Sequence, residues 1–354
     1  MTQPASERPP AARVCAGIPG MGGRFKAAPE DFRVEEISAY LPSGEGEHLF
    51  LWIEKRGLST PDVARSVARE LGLSEREVSY AGLKDRQSIA LQWLCVPAKL
   101  EARVRALAIP QVRILELRRH GNKLRTGHLR ANLFRIRIRR PVDVDCGREA
   151  LEHLHRVGLP NYFGAQRFGR ARENAGAGQA LLRGERLAGI DRFRRKMFLS
   201  AFQSLLFNRA LSARIQSGAF STALLGDVMQ KLTSGGSFIC EEPQLDQPRI
   251  DSFEISPAGP MFGPKMLRAR HAVADAEAKL LADEQMRLED FEAGGGETRG
   301  GRRPYRIAAP SCEIASEGPD AWLRFELPKG SYATALLREV LGERGEPQGE
   351  LEPL

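Results

Sequence analysis

The sequence predicts an α/β fold, and two observations carry that expectation. Runs with a period of two, such as Leu133–Arg139, alternate with runs at helical spacing, such as Val63, Ala64, Val67, Ala68 and Leu71. Hydrophobic residues make up 42% of the 354, enough for a sizeable core in a chain with room for one to three domains.

Residues 1–22 are rich in Pro, Gly and Ala and are expected to form a loose tail. Phe32, Val34 and Ile37 mark a first strand, and a Pro/Gly turn at 42–47 leads to a second over Leu49–Ile53. Ser59-Thr60-Pro61-Asp62 offers a helix cap, a first-turn Pro and an acid at the positive dipole end, with Gly72 as the stop. Ser74–Glu77 is a second capping box. The segment Tyr80–Gln87 then falls in a loop before the apolar run Trp93–Val96. In Leu133–Arg139, Phe134, Ile136 and Ile138 face one way and Arg135, Arg137 and Arg139 the other. Helices are expected over Gly147–Val157 and Phe198–Ile215. From Leu224 to Arg306 the pattern is irregular, and 294–301 reads as a flexible loop. Trp322–Leu327 alternates as a strand, 328–331 turns, and a helix bears Leu336, Leu337, Val340 and Leu341. Residues 344–354 are expected to fray.

The formal net charge is +8, which points to anionic partners. From Arg103 to Arg140 there are twelve Lys/Arg against one acid, and from Asn161 to Lys196 nine against three. Two such blocks fit a phosphate-binding surface; the alternative is a basic face kept for solubility. Five widely spaced cysteines without a Cys-x-x-Cys pair make neither a disulfide framework nor a zinc set, and fit a reducing compartment. The first residues lack a signal-peptide core and no apolar run is long enough for a bilayer, so a cytoplasmic protein without a membrane partner is expected. His153 and His155 point apart on a helix, and no P-loop, Gly-x-Gly-x-x-Gly or Gly-x-Ser-x-Gly occurs. The residues offer carboxylate chemistry on a polyanion, without an evident cofactor.

Asp85 stands between Lys84 and Arg86. Neighbouring cations favour a carboxylate's charged form, and such an Asp is either a nucleophile or base, or a surface loop residue. Asn132 and Phe134 share one strand face. Phe134 is either core or a ring offered to a nucleobase, a stack worth about 1–3 kcal/mol; Asn132 would bind a base edge or phosphate. Asn161 to Arg170 mixes aromatics, amides, Gly and Arg, including Gln166 and Arg167, and reads equally as a nucleic-acid contact or a packed aromatic turn.

Together these residues resemble the TruD family of tRNA pseudouridine synthases. The resemblance rests on Phe25-Lys26 with Pro29–Phe32, Gly44–Leu49, Val78–Asp85, Gln92–Leu94, Asn132–Phe134, Asn161–Gly169 and Gly330–Thr334, in the family's order. It is poor between about Ala171 and Pro310. The resemblance implies a catalytic domain with a mixed, largely antiparallel sheet over 23–170 and 311–343, and an inserted α/β domain over 171–310. It implies a cofactor-free isomerisation in which Asp85 attacks the uridine at C6 or C1′, or assists elimination. The substrate would be tRNA, at a D-arm uridine, usually position 13. Phe134 matches the family's base-stacking aromatic, Asn132 the partner that steadies the aspartate loop, Lys26 an active-site lysine and Tyr332 an aromatic beside the target base. Lys84, Arg86, Asn161, Gln166 and Arg167 are carried as substrate contacts. No protein partner is implied and a monomer is expected. The rivals are a silent tRNA binder, which would not need Asp85, and a hydrolase, which would need a second acid or a metal set.

Overall fold

The computed structural model describes residues 11–169 and 173–347; the side chains of Gln166, Glu346 and Pro347 lie outside that description. The chain begins with β1 (Gly23–Phe25), β2 (Phe32–Ser38) and β3 (His48–Arg56). The first helix, α1 (Thr60–Leu71), starts where its signals place it: Ser59 Oγ accepts from Asp62 N, and the Asp62 carboxylate accepts from Ser59 N. It stops at Gly72, whose φ of 65° is left-handed. Then come β4 (Ser79–Tyr80), β5 (Ile89–Pro97), α2 (Glu101–Arg105), β6 (Val112–His120), β7 (Leu129–Arg139) and α3 (Val144–Val157).

β8 (Leu159–Pro160) leads into a second body of structure. It holds α4 (Glu173–Leu182), α5 (Arg192–Gln216), β9 (Val228–Lys231), β10 (Ser237–Ile239), α6 (Pro243–Asp251), β11 (Ile255–Met261), α7 (His271–Asp283) and β12 (Gly301–Pro304). β13 (Arg306–Ile307) pairs with β8 and returns the chain to β14 (Cys312–Glu317), β15 (Asp320–Pro328), α8 (Ala333–Leu341) and β16 (Gly345–Pro347).

The large sheet runs β14-β15-β7-β2-β5-β3-β6, with β1, β16 and β4 attached at its flanks. Its pairings are antiparallel except β2 with β5 and β1 with β16. On one face Ile136, Ile138, Leu323 and Leu327 bury against Leu336, Leu337 and Val340 of α8 and Leu151 and Leu154 of α3. Further along, Leu49, Leu51, Ile53, Leu94 and Val96 bury against Val63, Val67 and Leu71 of α1. The second sheet, β10-β9-β11-β12, is antiparallel. No helix of the described residues is long and apolar enough to cross a membrane.

Three sequence expectations fail here. Residues 11–22 are not loose: Cys15 and Met21 are buried, and the backbone N–H groups of Val14 and Cys15 donate to the Glu339 carboxylate. At the other end residues 345–347 do not fray but pair with β1, while 348–354 lie outside the described residues, as do 1–10. The segment expected as a flexible glycine loop forms 3-10 turns over Leu288–Thr298 and then β12; Thr298 is buried and its hydroxyl donates to Phe291 O at 2.6 Å. The irregular pattern from Leu224 hid a whole sheet. β11 carries Pro257, Gly259 and Pro260, residue types that disfavour a strand, yet it is buried along nearly its entire length. Pro in an interior strand costs a ladder hydrogen bond, so burial on both sides overrode propensity there.

Candidate active site

Four strands of the large sheet send an apolar stripe toward the helices, and each stripe is broken once by a polar residue. The breaks are Glu36 after Phe32 and Val34, Lys55 after Leu49, Leu51 and Ile53, Gln92 between Ala90 and Leu94, and Asn132 before Phe134. Register brings them together, since Glu36 lies opposite Asn132, Ile53 opposite Gln92 and Lys55 opposite Ala90. The Asp85 loop crosses the sheet above them.

Buried side chains hold that loop from below. Thr60 Oγ1 accepts from Lys84 N at 2.8 Å and donates to Gln92 Oε1 at 2.8 Å. Gln92 Nε2 in turn donates to Gly82 O at 3.5 Å. The Asp85 carbonyl accepts from Lys55 Nζ at 2.7 Å and Ser88 Oγ at 2.6 Å. Thr60, Gln92, Lys55 and Ser88 have no exposed surface. The Asp85 side chain stays 23% exposed, so the loop presents a carboxylate to solvent from fixed supports.

That carboxylate pairs with Lys26, Nζ to Oδ2 2.7 Å. Lys26 is buried, lies 4.2 Å over the Phe32 ring, and holds φ 59°, a left-handed conformation that costs a non-glycine residue about 1–2 kcal/mol. Charge-assisted bonds of this kind are short and directional, so Lys26 aims the carboxylate.

The two cations beside Asp85 in sequence each bond another acid. Lys84 is buried and its Nζ lies 2.8 Å from Glu36 Oε2, so it anchors the loop to β2. Arg86 is exposed and bonds Asp62 Oδ2 at 2.9 Å, tying the loop to the start of α1.

Phe134 is packed: its ring stacks on Phe325 at 5.3 Å and meets the edge of Phe32 at 5.9 Å, leaving 8% of the residue exposed. This favours the core reading over a freely offered ring. Asn132 is half-buried, and its Oδ1 is buried with no hydrogen-bond partner among the described residues.

Asn161–Gly169 forms a packed turn. Asn161 is buried, donates from Nδ2 to Pro304 O at 3.0 Å and accepts from Arg303. Phe163 exchanges two bonds with Asn208 of α5. Arg167 donates to Ser200 and Ser204 of α5 and lies 5.8 Å from the Phe163 ring. Gln166 sits in the 3-10 turn Ala165–Phe168, its side chain outside the described residues. Tyr332, at the start of α8, meets Phe163 edge-on at 6.2 Å, and a Cβ at Gly164 would come within 2.8 Å of Tyr332 Cδ1. The structure therefore gathers Tyr332 with the Asn161 turn, and Lys26, Phe134 and Asn132 with Asp85. The two groups share β15, which pairs with β7 at Asn132 and Phe134 and exits toward Tyr332.

Several residues escaped sequence reasoning. Lys55, Glu36 and Gln92 left a usable signal, a polar residue on a core-facing stripe. Arg303 left none, lying where the pattern is irregular. It lies 4.1 Å over Phe163 and donates to Asn161 O and Gly330 O, and burial pushes its guanidinium down to about 10. A cavity of about 920 Å³ is lined by Arg192, Arg195, Lys196, Phe193 and Glu297 among others; none of its lining residues belongs to the Asp85 group.

The sequence model of the family "tRNA pseudouridine synthase D (TruD)" matches residues 12–193 and 187–340. A tRNA pseudouridine synthase D of Anaeromyxobacter dehalogenans is 50% identical over 334 residues, covering 92% of this chain and 95% of its own. One from Thermus thermophilus is 40% identical over 338 residues, covering 95% and 93%. A solved structure of a putative tRNA pseudouridine synthase D from Methanosarcina mazei shares the fold, with a TM-score of 0.74 at 22% identity over 92% of this chain and 95% of that one. Sequence identity of this extent, together with the shared fold, establishes that the chain belongs to the TruD family of tRNA pseudouridine synthases, which are isomerases.

Proposed function

We propose that this enzyme isomerises a uridine in the D-arm of tRNA, at position 13, to pseudouridine, with Asp85 as nucleophile. The observation that carries the reading is the Asp85 carboxylate, partly open to solvent, aimed by Lys26 and fixed by a buried network. The uridine leaves its stack, as chemistry on a base requires. Asp85 acts at C6 or C1′, or assists elimination. The N1–C1′ bond breaks, the uracil turns, a C5–C1′ bond forms, the C5 proton leaves, and N1 regains a proton. The balance closes without oxidant, reductant or co-reactant, so the reading needs no cofactor. In this reading residues 23–170 with 311–343 form the catalytic domain, residues 171–310 the inserted one, and the enzyme acts as a monomer in the cytoplasm.

The cations support an RNA partner, with a qualification from tertiary structure. Within Arg103–Arg140, Arg105, Arg113, Arg118, Arg119, Arg130, Arg137 and Arg139 pair with carboxylates of this chain. The recess at the start of α5 sets Lys196 and the Glu297-paired Arg192 and Arg195 beside Phe193, which is 73% exposed, an aromatic among cations that suits a base and a phosphate. We expect tRNA affinity to fall about a hundredfold or more between about 50 and 200 mM salt, read by filter binding. Salt-independent binding would remove both basic blocks from the tRNA surface.

The function itself is tested by mapping. Unmodified tRNA transcripts are incubated with enzyme, and pseudouridine is located by carbodiimide labelling and primer-extension stops. A single D-arm stop is expected. Tight binding with no stop on any tRNA would favour the silent-binder reading.

A further inference from the structure

Lys55 is the one lysine of β3, and it occupies a position where the stripe Leu49, Leu51, Ile53 calls for another apolar side chain. It is fully buried. Its ammonium finds no carboxylate at ion-pair distance among the described residues. Instead it donates to two main-chain carbonyls, Asp85 O at 2.7 Å and Leu58 O at 2.5 Å. Leu58 immediately precedes the Ser59 cap of α1, so one side chain clamps the Asp85 loop to the start of that helix.

A buried ammonium is expensive, and the surroundings relieve it only partly. Burial pushes the Lys55 ammonium down to about 7; Asp85 and Asp62 oppose that shift and Lys84 adds to it. On β5 its nearest neighbours in register are Ala90, opposite it, and the neutral Gln92, opposite Ile53, and Ser88 donates to the same Asp85 carbonyl. A site chosen for stability alone would carry an aliphatic residue here, because burying a charge without a paired acid works against folding. The lysine is better explained by what it holds.

We propose that Lys55 is a positioning residue for the reaction: by clamping the main chain at Asp85 to the start of α1, it fixes where the Asp85 carboxylate meets the substrate. The proposal rests on the reading of Asp85 as the reacting group. Displacing a reacting group by about 1 Å costs on the order of a hundredfold in rate.

The test compares Lys55→Met with wild type and with Asp85→Asn, all as full chains on a tRNA transcript. Lys55→Met is expected to bind tRNA with unchanged Kd and to lose about a hundredfold in single-turnover rate. Its thermal midpoint at pH 7 should be no lower than wild type. A merely structural residue would lower stability and activity together. A second readout follows from the charge. The folded form prefers Lys55 neutral and the unfolded chain titrates it near 10.5, so the burial cost is full below about pH 7 and is relieved toward 10.5. Wild-type stability should therefore gain on Lys55→Met across that window. Wild-type turnover in Lys55→Met overturns the proposal. Should that variant fail to fold, Lys55→Leu, a second apolar side chain without a donor, takes its place; wild-type turnover there overturns it equally. Turnover retained in Asp85→Asn would instead sink the reading of Asp85, whatever Lys55 does.

Discussion

Asp85→Asn is expected to lower turnover on tRNA by at least about four orders of magnitude while leaving tRNA affinity within about twofold. The substitution is isosteric, and an Asn oxygen in the same place still accepts from Lys26 Nζ, which donates to Asp85 Oδ2 in the native protein. The loop backbone is held by Thr60, Lys55 and Ser88 through main-chain atoms, so the fold around position 85 should stay as it is. What is lost is the negative charge and, in the proposed role, the attacking oxygen. Because the reaction releases the C5 hydrogen, tritium release from 5-tritiated uridine in tRNA reads the step directly. Release from Asp85→Asn at a rate near wild type would end the nucleophile assignment.

The second large effect concerns stability. Lys84→Met should cost about 3–5 kcal/mol of folding free energy, measured by urea unfolding. The Lys84–Glu36 pair is closed to water, its side chains 3% and 1% exposed, and one Glu36 oxygen has no hydrogen-bond partner among the described residues. Removing the lysine leaves a carboxylate buried and uncompensated, and that is the costly step. Replacing both residues, Lys84→Met with Glu36→Leu, should recover most of the loss, because two apolar side chains of similar volume need no charge partner. Activity should stay low in the double variant, since the anchor that brings the Asp85 loop down onto β2 is gone. A single variant as stable as wild type would show that the pair contributes little.

Much of the scaffold was legible in the chain. Period-two spacing located β2, β7 and β15, apolar runs β3 and β5, and helical spacing α1, α3, α5 and α8, near their observed positions. The Ser59 and Ser74 boxes and Gly72 marked ends that local hydrogen bonding alone decides, and local chemistry is what a sequence displays best. β9, β10 and β12 were hidden because they are only three or four residues long, and β11 because it is rich in Pro and Gly and owes its place to burial along nearly its whole length.

The site divides in the same way. Asp85 stood out by its setting, and the resemblance named it together with Lys26, Asn132, Phe134 and Tyr332. Chain adjacency, however, misled about charge. Lys84 and Arg86 flank Asp85 in sequence yet bond Glu36 and Asp62, while the partner at 2.7 Å is Lys26, far away along the chain. The block Arg103–Arg140 looked nearly acid-free, but folding delivers Asp31, Glu54, Glu101, Asp320 and Glu326 to its arginines. Spacing along a chain determines which face of its own element a side chain takes. Which charges meet is decided by register between strands and by the loops that cross them, and only the folded sheet supplies those.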